Sequence, residues 1–313
     1  MKYHFVLNGY SDECLKQMQE QRRFQKKYLS EMEEGEAYIY GPDEISVEKI
    51  GYSHAEEAVL LESHQYIPET ILDTFCRCVD PEDLYIFGSD FSSIELAVRT
   101  AERMQGSSVT SVHELCEEDP IRVKKMLYSN HMEGTFEMKR GPFCISLAKG
   151  MERDNVNDRK FIIKKRIVCD SYRGHIVSCE FYPEKLEEGL EDAKIVVAAG
   201  RGAKNKDNIA VIKRVTEVLG GEFGVSRPAA MNAWAPMNRL IGVSGAMIGP
   251  DICITAGVSG ALAFYAGIEK SKFIVAINTD EKAPIMKMAD VAVVDDFLPV
   301  LKGLEEIIAK ENK

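Results

Sequence analysis

Short β-branched runs alternate with amphipathic stretches over residues 191–313. Ala193–Ala199 (Ala-Lys-Ile-Val-Val-Ala-Ala) reads as a central parallel strand, apolar toward both faces. Asn205–Leu219 follows as a helix, with Ile209, Val211, Ile212, Val215, Val218 and Leu219 on its apolar side and Gly220-Gly221 ending it. Asp251–Ala256, Phe273–Ile277 and Val291–Val294 are the next strands. Ser259–Ala266, a short helix opened by Pro284, and Leu298–Lys310 capped by Asp296 are the helices that follow them. This alternation predicts an α/β fold with a doubly wound parallel sheet and ligands at the carboxyl ends of its strands.

Residues 1–190 show a weaker rhythm and are expected to form a separate N-terminal α/β domain. Asp12–Gly35 is a charged segment with helical spacing at Leu15, Met18, Phe24, Tyr28 and Met32, read as a solvated amphipathic helix or a partner-binding one. Glu36–Tyr40 is a strand and Ile67–Cys78 a helix. Leu84–Phe87, the turn Gly88-Ser89-Asp90 and the helix Ser92–Met104 make a βα unit whose turn is a helix cap or a weak anion site. Strand spacing continues over Val123–Tyr128, Thr135–Met138, Phe143–Leu147, Lys160–Val168 and His175–Tyr182. His131 falls in a polar turn with no Cys or carboxylate at ligand spacing.

Charge narrows the partners. The chain of 313 residues carries a net charge of −11, which disfavours nucleic acid and anionic membrane and suits either a basic partner or plain solubility. No apolar run reaches the length of a membrane span, and Met1-Lys2-Tyr3-His4 does not open a signal peptide, so a cytoplasmic location without membrane insertion is expected. The eight cysteines form no CxxC pair, so no metal site is expected and reduced, buried thiols are.

The candidate chemistry lies in glycine turns at strand ends: Gly200-Arg201-Gly202, Gly224 to Arg227, Gly242 to Gly245 and Gly257 to Ala261. Several such turns suit an elongated anion better than a single phosphate. Arg227, after Ser226, is a phosphate or anionic-ring partner, or else a surface ion pair. Ser244 is a hydrogen-bond donor to a ligand or a turn cap, and Ser259-Gly260-Ala261 a helix N-terminus facing negative charge or a plain cap. Asn278 and Asp296 stand at strand ends, where ribose or adenine would be bonded. Residues 191–313 contain neither a histidine nor a G-x-G-x-x-G or P-loop motif, which argues against an NAD-dependent oxidoreductase with its own acid/base group.

These turns, with Ser271 to Asn278, Ala283-Pro284-Ile285 and Asp290 to Phe297, resemble the FAD-binding domain of electron-transfer flavoprotein α subunits, closely over about residues 194–312. The resemblance implies a Rossmann-like FAD-binding domain over 191–313 and an N-terminal domain over 1–190 that contacts a β subunit. It implies an electron carrier with no catalytic residue of its own, which passes electrons from NADH, an acyl-CoA dehydrogenase-like protein or another flavin dehydrogenase to a redox partner. Some relatives bifurcate electron pairs. By matching position, Arg201, Asp296 and Phe297 lie by the ADP half. Ser226 and Arg227 lie by the flavin and pyrophosphate. Ile241, Gly242, Val243 and Ser244 border the flavin ring. Ser259, Gly260, Ala261, Leu262, Ala263 and Phe264 run along flavin and phosphates, and Asn278 lies by adenosine. Three positions depart from the family pattern: Val243-Ser244 replaces Gln-Thr, Ala263-Phe264 replaces Gln-His, and Pro228 follows Arg227 where a small residue is usual. Phe264 removes a polar partner of the reduced flavin, so a lower one-electron potential, or a different order of electron release, is expected. A scaffold without flavin, or with AMP, is the alternative these departures keep open.

Overall fold

The run Lys2–Asn8 is buried from Tyr3 onward, and it becomes the strand β1 around which the first sheet is laid. The computed structural model describes residues 1–10, 14–42, 57–128, 130–151, 162–169 and 189–311. Two units divide the chain, Met1–Tyr182 and Pro183–Lys313. Leu190 packs in the core of the second.

In the first unit, β1 is followed by α1 (Cys14–Tyr28), β2 (Glu33–Glu34), β3 (Ala37–Gly41), β4 (Glu57–Glu62), α2 (Pro68–Cys76), β5 (Leu84–Phe87), α3 (Phe91–Met104), β6 (Ser107–Glu118), β7 (Ile121–Leu127), β8 (Met132–Glu137), β9 (Phe143–Leu147) and β10 (Ile162–Val168). The sheet runs β10-β4-β3-β1-β5-β9-β6-β7-β8, with β2 beside β1. It is parallel from β10 to β6 and antiparallel from β6 to β8. Core residues of α2 and α3, including Ile71, Phe75, Leu96 and Ala97, pack with Val6, Tyr40 and Phe87 of the strands. Phe24 of α1 packs with Tyr3 and Phe5 in a separate core cluster. Asp90 caps α3, its Oδ1 accepting from the Ser93 N–H at 3.1 Å, so the cap reading of that turn holds.

Helix α1 is not the solvated helix expected. Gln17, Met18, Glu20, Gln21, Arg22, Phe24 and Gln25 are buried, while Leu15 stands 43% exposed. The reason is polar: Gln21 Nε2 donates to the carbonyls of Val6 at 3.2 Å and Ile86 at 3.1 Å, and Gln25 Nε2 to the Tyr3 hydroxyl at 2.6 Å. The glutamines at i and i+4 thus form an inward face that a hydrophobic period does not mark. His131 is exposed in the β7–β8 turn. The expected strand His175–Tyr182 lies outside the described residues.

In the second unit, β11 (Ile195–Ala199), α4 (Lys206–Val218), β12 (Glu222–Val225), α5 (Arg227–Met231), β13 (Ile252–Ala256), α6 (Leu262–Tyr265), β14 (Ile274–Asn278), α7 (Ile285–Met288), β15 (Val291–Val294) and α8 (Phe297–Glu311) follow in order. The sheet is β12-β11-β13-β14-β15, parallel throughout. Val197 and Ala199 point into one core with Ile209, Ile212 and Val215 of α4, Ala229 of α5 and Leu301 of α8. Val196 and Ala198 point into the other with Phe264 of α6 and Ile285 of α7. Helices on both faces make the sheet doubly wound, as the alternation predicts. Order reverses at β11, which has β12 on one side and β13 on the other, so a crevice opens at the carboxyl ends there. Among the described residues no helix is long and apolar enough to cross a membrane.

Candidate functional site at the strand ends of the second unit

The loops after β11, β12, β13 and β14, with the segment Leu240–Ser244, line a cleft of about 790 Å³. That volume suits a small molecule or cofactor. Two of the loops meet backbone to backbone. The Gly200 N–H donates to the Ala256 carbonyl and the Gly202 N–H to the Gly257 carbonyl, both at 2.9 Å. A Cβ on Gly200 would fall 2.2 Å from the Gly257 oxygen, so only glycine permits this approach. The third wall is tied similarly: Gly242 sits at φ +124°, and the Val243 N–H donates to the Ala263 carbonyl at 2.9 Å.

Arg201, Ser226, Arg227, Ile241, Gly242, Val243, Ser244, Ser259, Ala261, Ala263, Phe264 and Asn278 are brought together on the cleft wall. Gly260, Leu262, Asp296 and Phe297 are not. Gly260, at φ +82°, is pressed against α7, where a Cβ would lie 2.4 Å from the Ile285 nitrogen. Leu262 is 48% exposed. Asp296 caps α8, its Oδ1 accepting from the Leu298 N–H at 2.9 Å, and Phe297 packs in the core. Ser259 also differs from expectation, for it does not open a helix. The positive φ of Gly260 interrupts the chain, the Ser259 carbonyl accepts from the Ile285 N–H at 3.2 Å, and α6 is only four residues long.

The donors on the wall are unspent. Among the described residues, the side chains of Arg201, Lys204 and Arg227 have no hydrogen-bond or ion-pair partner, nor do the hydroxyls of Ser226, Ser244 and Ser259. The backbone N–H groups of Ser259 and Ala261 find no acceptor there either. The lining carboxylate, Asp280, has its Oδ1 turned to the Lys282 N–H at 2.9 Å. Three cations, three hydroxyls and two free amides form a donor set for an extended, oxygen-rich anion. Asn278 is already engaged: its Nδ2 donates to the Val258 carbonyl at 2.7 Å and its Oδ1 accepts from the Asp280 N–H at 3.0 Å. It braces two loops of the cleft and keeps one hydrogen and one lone pair for a ligand. Phe264 lines the cleft and is 6% exposed, so the wall there is apolar.

The comparisons agree with one another. Residues 189–269 match the family model for the electron transfer flavoprotein FAD-binding domain. The chain is 33% identical over 247 residues to the putative electron transfer flavoprotein subunit YgcQ of Escherichia coli (strain K12), covering 78% of this chain and 85% of that protein. It is 28% identical over 291 residues to an electron transfer flavoprotein subunit alpha of Clostridium acetobutylicum, covering 88% of this chain and 85% of that protein. Against Protein FixB of Rhizobium meliloti it is 43% identical over 121 residues, 39% of this chain and 34% of that protein. With most of both chains shared at this identity, the protein belongs to the electron transfer flavoprotein α-subunit family.

Proposed function

We propose that this chain is the FAD-binding α subunit of a two-subunit electron carrier. It holds the cofactor in the strand-end cleft and performs no bond-making chemistry of its own. The observation that carries the reading is the donor set without protein partners: the side chains of Arg201 and Arg227, the hydroxyls of Ser226, Ser244 and Ser259, and the free amides of Ser259 and Ala261. FAD supplies one- and two-electron redox chemistry when bound. Arg201 takes phosphate of the ADP half, and Arg227 faces pyrophosphate and flavin, where its charge favours the reduced, anionic ring. Ile241 to Ser244 border that ring, with the Ser244 hydroxyl as donor. Phe264 and Val243 offer no donor on the same wall and lower the one-electron potential. Asp296 and Phe297 act through α8 rather than by contact.

The β subunit covers the cleft from the partner side, and the electron donor is a flavin dehydrogenase or NADH. A cytoplasmic setting accords with the free, buried thiols of Cys14, Cys144 and Cys253. The test is an absorbance spectrum of the full chain co-expressed with a candidate β subunit, then an anaerobic reductive titration. Flavin bands that bleach in single-electron steps support the carrier. Bleaching in a two-electron step supports bifurcating use. A folded complex without flavin overturns the reading in favour of a scaffold.

A further inference from the structure

The residue after Gly202-Ala203 has no place in the sequence reading of the site, yet Lys204 lines the cleft beside Arg201 and Ser226. Its backbone lies at φ +69°, ψ −33°. The Asn205 N–H donates to the Ala203 carbonyl at 2.9 Å, closing a three-residue γ-turn of the rare positive-φ form with Lys204 at its centre. A residue with a Cβ is strained there and glycine is not. The turn is held on both sides. Upstream, Gly202 is bonded to Gly257; downstream, the Asn205 Oδ1 accepts from the Asn208 N–H at 2.9 Å and caps α4. Glycine would therefore serve the fold better than lysine, and stability does not account for the side chain.

Electrostatics supplies the reason. Among the described residues the Lys204 ammonium has no ion-pair or hydrogen-bond partner, and the lining carboxylate Asp280 is turned to its own loop. We propose that Lys204 is a third cationic binding residue of the cleft, held in a strained turn to meet the phosphates of a dinucleotide. The inference rests on the reading of the cleft as a flavin dinucleotide site. Lysine, a point charge on a flexible stem, suits a phosphate that Arg201 and Arg227 also reach.

The test uses the full chain, alone and with the co-expressed candidate β subunit, and the variants Lys204→Met, Lys204→Gly and Lys204→Arg. Calorimetric titration with FAD and thermal melting of the ligand-free protein are read together. Lys204→Met keeps the strain and loses the charge: FAD binds about tenfold more weakly, as for a lost charge-assisted contact. Lys204→Gly loses affinity equally but melts above Lys204→Met, and Lys204→Arg restores most of the affinity. If Lys204→Met binds FAD as tightly as the parent, the proposal falls and the reading of the cleft stands. If Lys204→Gly melts below Lys204→Met, the strain account falls. If the parent binds no FAD in either form, both the cleft reading and the role of Lys204 are overturned.

Discussion

Gly202 and Gly257 meet across the switch point of the second sheet: the N–H of one donates to the carbonyl of the other at 2.9 Å, and a Cβ on Gly202 would fall 2.7 Å from that oxygen. The contact joins the loop after β11 to the loop after β13 on the cleft wall. Gly257 is further constrained by φ +62°, and its own Cβ would stand 2.9 Å from Gly202. Gly257→Ala is therefore expected to lower stability by about 2–4 kcal/mol, part from the left-handed backbone and part from the clash. Urea unfolding measures it; a loss below about 0.5 kcal/mol, the range of ordinary surface changes, would show that the loops part without cost.

Arg227 is exposed on the cleft wall next to buried Ser226. Replacing it by Gln keeps a polar end on a shorter stem and removes the charge. FAD affinity should fall about tenfold at low salt. Because the site is open to solvent, the gap between parent and variant should narrow as salt rises toward molar concentrations. Fluorescence titration at several ionic strengths decides the matter. A gap that salt leaves unchanged would mean the guanidinium acts through shape, not charge.

How much of this was legible in the sequence depends on what each element buries. Ile195–Ala199 is buried at almost every position, so its β-branched run is plain, and β13 and β14 are readable for related reasons, whereas β15 is largely exposed and legible only as a run of valines. Strand β12 has no sequence signature, because four residues with Gly224 among them give no run to read. Strand β6 is likewise illegible, because its Ser, Thr, His and Glu positions are half-buried or exposed and its apolar period is faint. The glutamine face of α1 is invisible to hydrophobic spacing. The glycine turns located the cleft, since a close backbone approach leaves glycine as its trace. Lys204 left no such trace: it matters through a backbone angle, and lysine gives no sequence signal for positive φ. Asp296 stands at the end of β15, as its position implied, but its carboxylate is used by α8.

Cys253 is fully buried, and burial pushes its thiol up from 9.0 to about 12, against a smaller lowering by Ser271. The folded unit keeps this proton where the unfolded chain releases it. The stability so contributed is full below pH 9 and is lost as pH rises toward 12, by up to about 1.4 kcal/mol per pH unit for one such group. Cys14, pushed up to about 12 chiefly by burial, adds the same dependence to the first unit. Denaturation midpoints against pH should slope downward above pH 9, and Cys253→Ala should flatten the slope for the second unit while lowering stability modestly at neutral pH. Equal slopes for parent and variant would place the alkaline transition elsewhere, the buried tyrosines being the next candidates.

Phe264 lines the cleft at 6% exposure and shares a core cluster with Ile241, Val258 and Ile268. Its ring, itself shielded from water, gives a developing negative charge no hydrogen bond. Introducing a donor should therefore raise the one-electron potential of the flavin-loaded complex. Phe264→His supplies one from within the wall but places a polar ring in an apolar cluster, at about 1–3 kcal/mol of stability. Val243→Gln is the complementary variant. Val243 is 49% exposed, so the amide enters without a core defect. Potentiometric titration should show both variants shifted to more positive potentials, Phe264→His the more because position 264 is buried where position 243 is half-exposed, and electrostatic interactions are less screened there. If both leave the potential where it was, the wall formed by these two residues lies away from the reacting ring.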